Sequence, residues 1–427
     1  MIWIVPVVAA VLMMSGLALA YVIGAGAVLS FLAAGHGRHL AVLPQQIFSQ
    51  IDVFALMAMP LFILAGEVMN KGGVTRALIE LSMAFVGRLR GGLGHVNIMA
   101  SVFLSGISGS AIADAAALSN TLVPEMRKRG YKNEYACALT AASSIIGPII
   151  PPSIILIFYG ALMNTSVTAL FIAGILPGLL LAAALFATNA FYAWRDDHPR
   201  LSREEAPRIL PTLRRSAPAL MLPVIILGGI VFGLATPTEA AVIAVFAALA
   251  AGAFYDGIRL GDLLESLRRT AVLSGSIFIL IAGVVALGHL GSLERIPEAI
   301  ATAVTDLGLG PMEYLILLNV VFVVVGIVIE PPVALALLVP LLAPVAIAQG
   351  ADPVHLGIVL CFNLCVGLIS PPLGGSLAVV AAVGRVNYWA LCRAVLPFMA
   401  AEIVVLALLV AFPEISLALP RAFGFIA

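Results

Sequence analysis

The sequence predicts an all-α polytopic membrane protein of two inverted repeats, each with a re-entrant helical hairpin and an interrupted helix. Three observations carry this expectation: an apolar composition, a series of long apolar stretches, and a self-similarity whose two copies differ in charge. Hydrophobic residues make up 62% of the 427 positions and charged residues 10%, against about 25% charged in soluble domains. A water-facing surface needs more charge than that, so a soluble globular fold is excluded. The 22 Lys+Arg balance the 22 Asp+Glu, leaving no excess to attract nucleic acid. Cys137, Cys361, Cys365 and Cys392 lie in apolar stretches without zinc-site or disulfide-framework spacing, and read as small core residues.

Met1 to Ala34 is apolar almost throughout, with no basic residue ahead of it. A removable signal would begin with positive charge and carry only about 7–15 apolar residues, so the segment predicts a retained first helix. Further apolar stretches cover roughly 53–69, 77–94, 96–126, 134–163, 169–194, 218–234, 236–255, 270–291, 312–349, 354–384 and 394–412. Lipid offers the backbone no hydrogen bonds, so these are helices rather than open sheet. In Ala235-Thr236-Pro237-Thr238-Glu239, Thr236 is placed to cap a helix opened by Pro237, with Glu239 in its first turn. The stretch from Glu294 to Leu307 is amphipathic and predicts a helix lying at the interface.

Cytoplasmic loops are enriched in Lys and Arg, and the basic residues cluster. Arg127, Lys128, Arg129 and Lys132 form one group, and six arginines crowd the long polar linker from Arg195 to Ser216. Placing these inside with Arg38, Arg88, Arg90, Arg259, Arg268, Arg269, Arg385 and Arg393 leaves only Lys71, Arg76, Arg295 and Arg421 outside. The segments 96–126 and 312–349 must then each return to the side they left. Each is short for two spans of about 20 residues plus a turn; each suits a hairpin reaching part-way in.

A shift of 220 residues aligns Gly106 with Gly326, Pro124 with Pro344, Gly130 with Gly350, Gly147 with Gly367, and Pro151-Pro152 with Pro371-Pro372. Self-similarity at one offset marks a structural repeat. Residues 1–194 and 217–427 form its two halves, joined by a cytoplasmic linker over 195–216. The turn Arg127-Lys128-Arg129-Gly130-Tyr131-Lys132 is basic, whereas Ile347-Ala348-Gln349-Gly350-Ala351-Asp352 has no basic residue. Equivalent turns on opposite sides of the membrane constitute inverted topology, which places sites at the repeat interface near the midplane.

The chemistry concentrates where helices cannot continue. Ser105-Gly106-Ile107-Ser108-Gly109-Ser110 falls midway through the first hairpin, and its composition favours a turn. Hydroxyls and freed carbonyls at such a tip suit a small hard cation. The N-terminus of the arm that follows, with Asp114 in its first turn, suits a carboxylate ligand or a negative side chain. A helix kink packed by neighbours is the other reading of the same residues. Gly147-Pro148-Ile149-Ile150-Pro151-Pro152 cannot continue an α-helix, which frees carbonyls including those of Ser143, Ser144, Gly147 and Ile150. The second half repeats the design in Asn363 to Pro372, with a hairpin tip at Gly326-Ile327-Val328-Ile329-Glu330-Pro331-Pro332. Glu330 has no Lys or Arg in its own hairpin, so it must be protonated, hydrated or paired with a group brought to it. Gly106 to Ser110 fails the last position of the nucleophile pattern G-x-S-x-G, and none of the six histidines stands in a motif marking a base. The sequence is not read as an enzyme.

Together, Met59 to Gly66, Ser108-Gly109-Ser110, Ile149 to Ser153, Ala235 to Ala241, Glu330-Pro331 and Asn363 to Pro372 resemble the DctM-like large membrane subunit of TRAP transporters (tripartite ATP-independent periplasmic transporters), within the ion transporter superfamily. The resemblance covers nearly the whole chain. Ala111-Ile112-Ala113-Asp114 departs from the Ser/Thr/Pro-rich start of dicarboxylate-type members, a difference that bears on substrate.

The resemblance implies sodium-coupled import of an organic acid across the bacterial inner membrane by an elevator-type transport domain moving against a scaffold. A periplasmic substrate-binding protein would deliver the solute, and a small four-helix membrane subunit, expected as a separate chain, would complete the membrane part. No cofactor is implied beyond sodium as the coupling ion. By resemblance one sodium site would draw on Ser105, Ser108, Gly147, Ile150 and Pro152, and a second on Gly326, Asn363, Gly367, Ser370 and Pro372. Substrate contacts would involve Ser108, Ser110, Ser153 and Glu330, with Arg295 a further candidate because a guanidinium pairs well with a carboxylate. The alternatives are a carboxylate symporter, sodium- or proton-coupled, that works without a binding protein, and a structural membrane subunit of a complex.

Overall fold

The computed structural model describes residues 17, 19–202, 204–255 and 257–426, without the side chains of Leu19, Ile107 and Ser108. The expected first helix lies partly outside the described residues, which cover it as α1, Leu19–Ala33. All regular structure among the described residues is helical, as hydrocarbon solvent requires. The first half continues with α2 (Leu43–Ile51), α3 (Ala58–Lys71), α4 (Val74–Val86), α5 (Gly92–Ser108), α6 (Ala111–Lys128), α7 (Asn133–Ser144), α8 (Ile154–Met163) and α9 (Val167–Arg195). Then come α10 (Ile209–Val231), α11 (Pro237–Phe254), α12 (Leu260–Leu293) and α13 (Ile296–Asp306). The chain ends in α14 (Pro311–Val328), α15 (Pro331–Ala348), α16 (Pro353–Gly367), α17 (Gly375–Gly384), α18 (Tyr388–Ala411) and α19 (Glu414–Ala422).

Both hairpins are present. The first turns at Gly109, whose φ of +58° favours glycine, and the second turns at Ile329-Glu330. Asn97 in α5 reaches the Met126 sulfur in α6 at 4.0 Å, and the Tyr314 hydroxyl in α14 donates to the Leu342 carbonyl in α15 at 3.0 Å. Each pair of arms is therefore antiparallel. The arms of the second hairpin are 18 residues each and apolar enough to cross a membrane by length, so these arms are longer than a part-way hairpin requires.

Both interrupted helices are present too, as α7–α8 and α16–α17. The Asn133 amide donates to the Gly384 carbonyl at 3.0 Å, joining the start of α7 to the end of α17. The Tyr159 hydroxyl in α8 donates to the Pro353 carbonyl at the start of α16, at 2.9 Å. The two interrupted helices thus run antiparallel, which is the inverted arrangement the charges predicted. The basic turn docks on the linker through Arg129 and Glu205, 3.1 Å apart. The non-basic turn lies at the other end, where Asp352 caps α16 and the His355 Nδ1 is 2.7 Å from the Ser416 hydroxyl. The repeats also interlock, since α6 packs on α7 and α17 while α15 packs on α16 and α8.

Two expectations about the scaffold fail. The span predicted over 77–94 is α4, an amphipathic helix of 13 residues. At 1.5 Å per residue that is about 20 Å, against a hydrocarbon core of about 30 Å. It does not change sides. Lys71 lies 3.9 Å from Asp262, Arg215 lies 3.4 Å from Glu80, and the Leu201 N–H donates to the Gly87 carbonyl at 3.2 Å. Lys71 and Arg76 accordingly sit at the basic end rather than opposite it. Arg38 moves the other way: its neighbour His36 is 2.9 Å from Glu294, beside Arg295. Once α4 stops crossing, the side of every earlier loop reverses. The linker is also shorter than expected, because α10 begins at Ile209, and α12 extends the predicted 270–291 to 34 residues. The Thr236 cap is as expected, with the Glu239 N–H donating to Oγ1 at 3.3 Å and the Thr236 N–H to Glu239 Oε2 at 2.7 Å.

Candidate functional site at the hairpin tips

In the first half the hairpin tip rests on the interruption of its own repeat. A Cβ built on Gly109 would lie 2.7 Å from the Pro152 carbonyl oxygen, so glycine lets the two backbones meet. Ser110 caps α6 by accepting from the Ala113 N–H at 3.4 Å. Gly147 faces Asp114, whose Oδ2 would be 2.3 Å from an added Cβ. Ser105 is buried and donates to the Val102 carbonyl at 2.6 Å, leaving its lone pairs available. Among the described residues, no donor reaches the carbonyls of Gly147, Ile150 or Pro152. Those oxygens and the Ser105 hydroxyl fit a hard cation. The Ser108 side chain lies outside the described residues.

The second half is built differently. Gly326 and Gly367 touch, and a Cβ on Gly367 would fall 2.5 Å from the Gly326 carbonyl carbon. Asn363 donates to the Asn319 carbonyl at 2.9 Å and to its side-chain oxygen at 2.7 Å. Its own Oδ1 is buried with no partner among the described residues, and such an acceptor suits a cation. Ser370 donates to the Val366 carbonyl at 2.8 Å. The Gly367 carbonyl already accepts from the Ser370 N–H at 3.0 Å, and that of Pro372 from the Tyr388 hydroxyl at 2.9 Å. Pro372 is exposed, and its carbonyl, like that of Gly367, keeps one lone pair beyond the bond it accepts.

The two tips share one cavity of about 450 Å³, lined by Ser110, Ile154, Glu330, Pro331 and Leu368. Three helices begin at its wall: α6, α8 and α15. Each helix N-terminus carries a partial positive charge of about half a unit, a setting that favours anions; α15 supplies this dipole without free N–H groups, because it opens on Pro331-Pro332 and the Val333 and Ala334 N–H groups donate to the Glu330 carbonyl. Two predicted contacts are missing. The Ser153 hydroxyl is buried, donates to the Pro148 carbonyl and accepts from the Leu156 N–H at 3.2 Å; it caps α8 and does not line the cavity. Arg295 is exposed in the connection between α12 and α13, beside the ion pair of Glu294 with His36, remote from the tips.

The structure adds residues that motif reading passed over. Glu67 and Asn70 of α3 line the tip cavity and also a second cavity of about 830 Å³, walled by Lys71, Arg76, Glu80, Glu125 and Arg269. Arg269 of α12 lies 3.6 Å from Glu67. The two cavities share Glu67, Asn70, Ala113 and Ala116 in their linings, and so adjoin between the tips and the basic end. Glu67 and Asn70 stand three apart in a helix that is apolar from Ala58 to Gly66, so they share a face. That spacing was the signal available for them.

Residues 6–415 match the family described as the tripartite ATP-independent periplasmic transporter, DctM component. The sialic acid TRAP transporter large permease protein SiaM of Vibrio cholerae is 39% identical over 396 residues, 92% of this chain and 93% of that protein. The C4-dicarboxylate TRAP transporter large permease protein DctM of Pseudomonas aeruginosa is 37% identical over 388 residues, 91% of this chain and 90% of its own. Among solved structures, the YdaH transporter of Alcanivorax borkumensis has a TM-score of 0.64 at 15% identity, covering 91% of each chain, a likeness of fold. The interlocked hairpins and interrupted helices, and relatives of this identity along almost the full length, identify a transporter component and not an enzyme: the chain belongs to the DctM family of TRAP transporter large permeases, multi-pass proteins of the bacterial inner membrane.

Proposed function

We propose that this chain imports an organic acid driven by the sodium gradient, with residues 1–194 and 217–427 as inverted repeats about a cytoplasmic linker near 195–216. The observation that carries the reading is the convergence of both hairpin tips and three helix N-termini on one cavity. That setting favours a carboxylate. Sialic acid and C4-dicarboxylates, named for the two relatives, are both carboxylates. Ser110 and Glu330 are the substrate contacts, and the Ser108 hydroxyl belongs with them or with the cation. Glu330 faces an acidic solute as an acceptor for its hydroxyl or ammonium groups.

Sodium occupies the oxygen cage of Ser105, Ser108, Gly147, Ile150 and Pro152, and a second site uses Asn363 Oδ1 with Gly326, Gly367 and Ser370. The helices α5–α9 and α14–α18 move as an elevator against α1–α4 and α10–α12, and the adjoining cavities toward the basic end are the release route in the inward-open state. A small four-helix subunit in a separate chain and a periplasmic binding protein complete the transporter.

Uptake by the assembled transporter in proteoliposomes, with its binding protein and a panel of acids, tests this. Glu330→Gln should reduce initial uptake at least about tenfold, the loss of roughly 1.4 kcal/mol of binding, while sodium binding persists. Uptake that is indifferent to removal of sodium rejects the cation assignment; uptake without any binding protein favours a stand-alone symporter.

A further inference from the structure

One acid in the membrane core has no part in the sites above. Glu402 lies just past the middle of α18, Tyr388–Ala411. Its side chain is wholly buried, and neither carboxylate oxygen has a hydrogen-bond partner among the described residues. α18 packs against α7, α9, α16 and α17. The titratable groups facing this stretch are Cys365 of α16, which Glu402 reaches electrostatically, and Tyr135 of α7 and Tyr192 of α9, which meet Phe398 one turn below, edge-on and tilted respectively. The helix α17 carries none. None of the three is a Lys, Arg or His, so no cation compensates a carboxylate here. An ionised acid left unpaired at this depth is strongly unfavourable, and in this conformation Glu402 holds a proton.

The fold does not require an acid at this place. The corresponding stretch of α9, Leu181-Ala182, is apolar and equally buried. A protein that needed only packing would have a Leu or Met there, as such replacements of buried charges are commonly neutral or stabilising. The site nevertheless lies in the part assigned to movement. Met399, on the same face of α18 three residues earlier, touches the Ser370 hydroxyl at 3.4 Å, in the interruption between α16 and α17. Sodium binding and release at that interruption, inside the moving body, are placed to alter the surroundings of Glu402 through Met399.

We propose that Glu402 is a proton-binding site of the moving domain, loaded from the outer face, holding its proton in the conformation described here and giving it up to the inside, so that a proton gradient adds to the driving force for uptake. The step is a protonation alone: the carboxylate accepts H⁺ from water at one face and returns it at the other. The inference rests on the transport reading but is separable from it.

The test uses the assembled transporter in proteoliposomes with its binding protein, equal sodium on both sides, and an imposed acid-outside pH gradient. The expected result is steady-state solute accumulation rising about tenfold per pH unit for one coupled proton, with alkalinisation outside. Glu402→Gln should lose that response and keep sodium-driven uptake. A wild type insensitive to the pH gradient, or a Glu402→Gln variant that still responds, overturns the proposal. If sodium-driven uptake is itself absent from wild type, the transport reading fails instead. Should Glu402→Gln not assemble, the infrared carboxylic-acid band of wild type decides: it should change between the sodium-and-solute-loaded and free states, and an unchanging band overturns the proposal.

Discussion

At the scale of single residues, glycine and amide positions decide what the interruptions can hold. Gly326 and Gly367 meet backbone to backbone, and no side chain fits between them. Gly367→Ala should destabilise the protein by about 1–3 kcal/mol, the range for overpacking a filled core, and should weaken sodium binding at the second site. A lower unfolding temperature in detergent with reduced sodium stabilisation checks this; an alanine variant as stable and as sodium-responsive as wild type contradicts it. Turn-forming residues in an apolar run left a visible mark at Ser110, Gly147 and Ile150, and the family resemblance added Asn363 as a candidate. The sequence could not place Ser153, Pro372 or Arg295. The Ser153 hydroxyl caps α8 through the Leu156 N–H, the Pro372 carbonyl accepts from the Tyr388 hydroxyl, and Arg295 stands in an exposed connection, and none of this is visible in the local sequence.

At the scale of elements, what each helix does follows from length and charge together. The helix α4 is apolar enough to pass as a span in sequence, yet Arg76, Glu80 and its 13 residues make it a surface helix tied to α10 through Glu80 and Arg215. The linker is fastened to the first hairpin through Glu205, which receives the Ser202 N–H and then the Arg129 guanidinium. These donors, the Ser202 backbone first and Arg129 next, hold the Glu205 carboxyl down at about 2. A carboxyl depressed in the folded state contributes stability above its ordinary value near 4.3, and that contribution fades as pH falls from there toward 2. Wild type should therefore release the linker on acidification, seen as faster proteolysis near 200–206, and Glu205→Gln should be proteolysed quickly at neutral pH without a further acid-dependent rise. A pH profile of cleavage identical in both proteins contradicts it.

At the scale of the whole molecule, the second arm of each hairpin, α6 and α15, packs between one interrupted helix of its own repeat and one of the other, which joins the two repeats' hairpins and interrupted helices into one body. The cavities beside α3 and α12 are where that body meets the scaffold. Asn70 and Ala113 both line the two cavities, one on each side of this boundary. A cysteine pair at Asn70 and Ala113 should cross-link under oxidation, abolish uptake, and regain it on reduction. Uptake that continues in a fully cross-linked sample would rule out movement across this boundary.

The sequence by itself determined the membrane class, the helix breaks, the two repeats and their opposite orientation. Each of these is written in local composition: apolar runs, Gly and Pro where helices must stop, and a basic turn whose counterpart is not basic. Only the tertiary structure decided which oxygens remain without donors, that the tips share one cavity with Glu67 and Asn70, and that α4 lies along a face. Those outcomes depend on which distant segments meet, and a hydrogen-bond partner from a distant segment leaves no trace in the residues it satisfies.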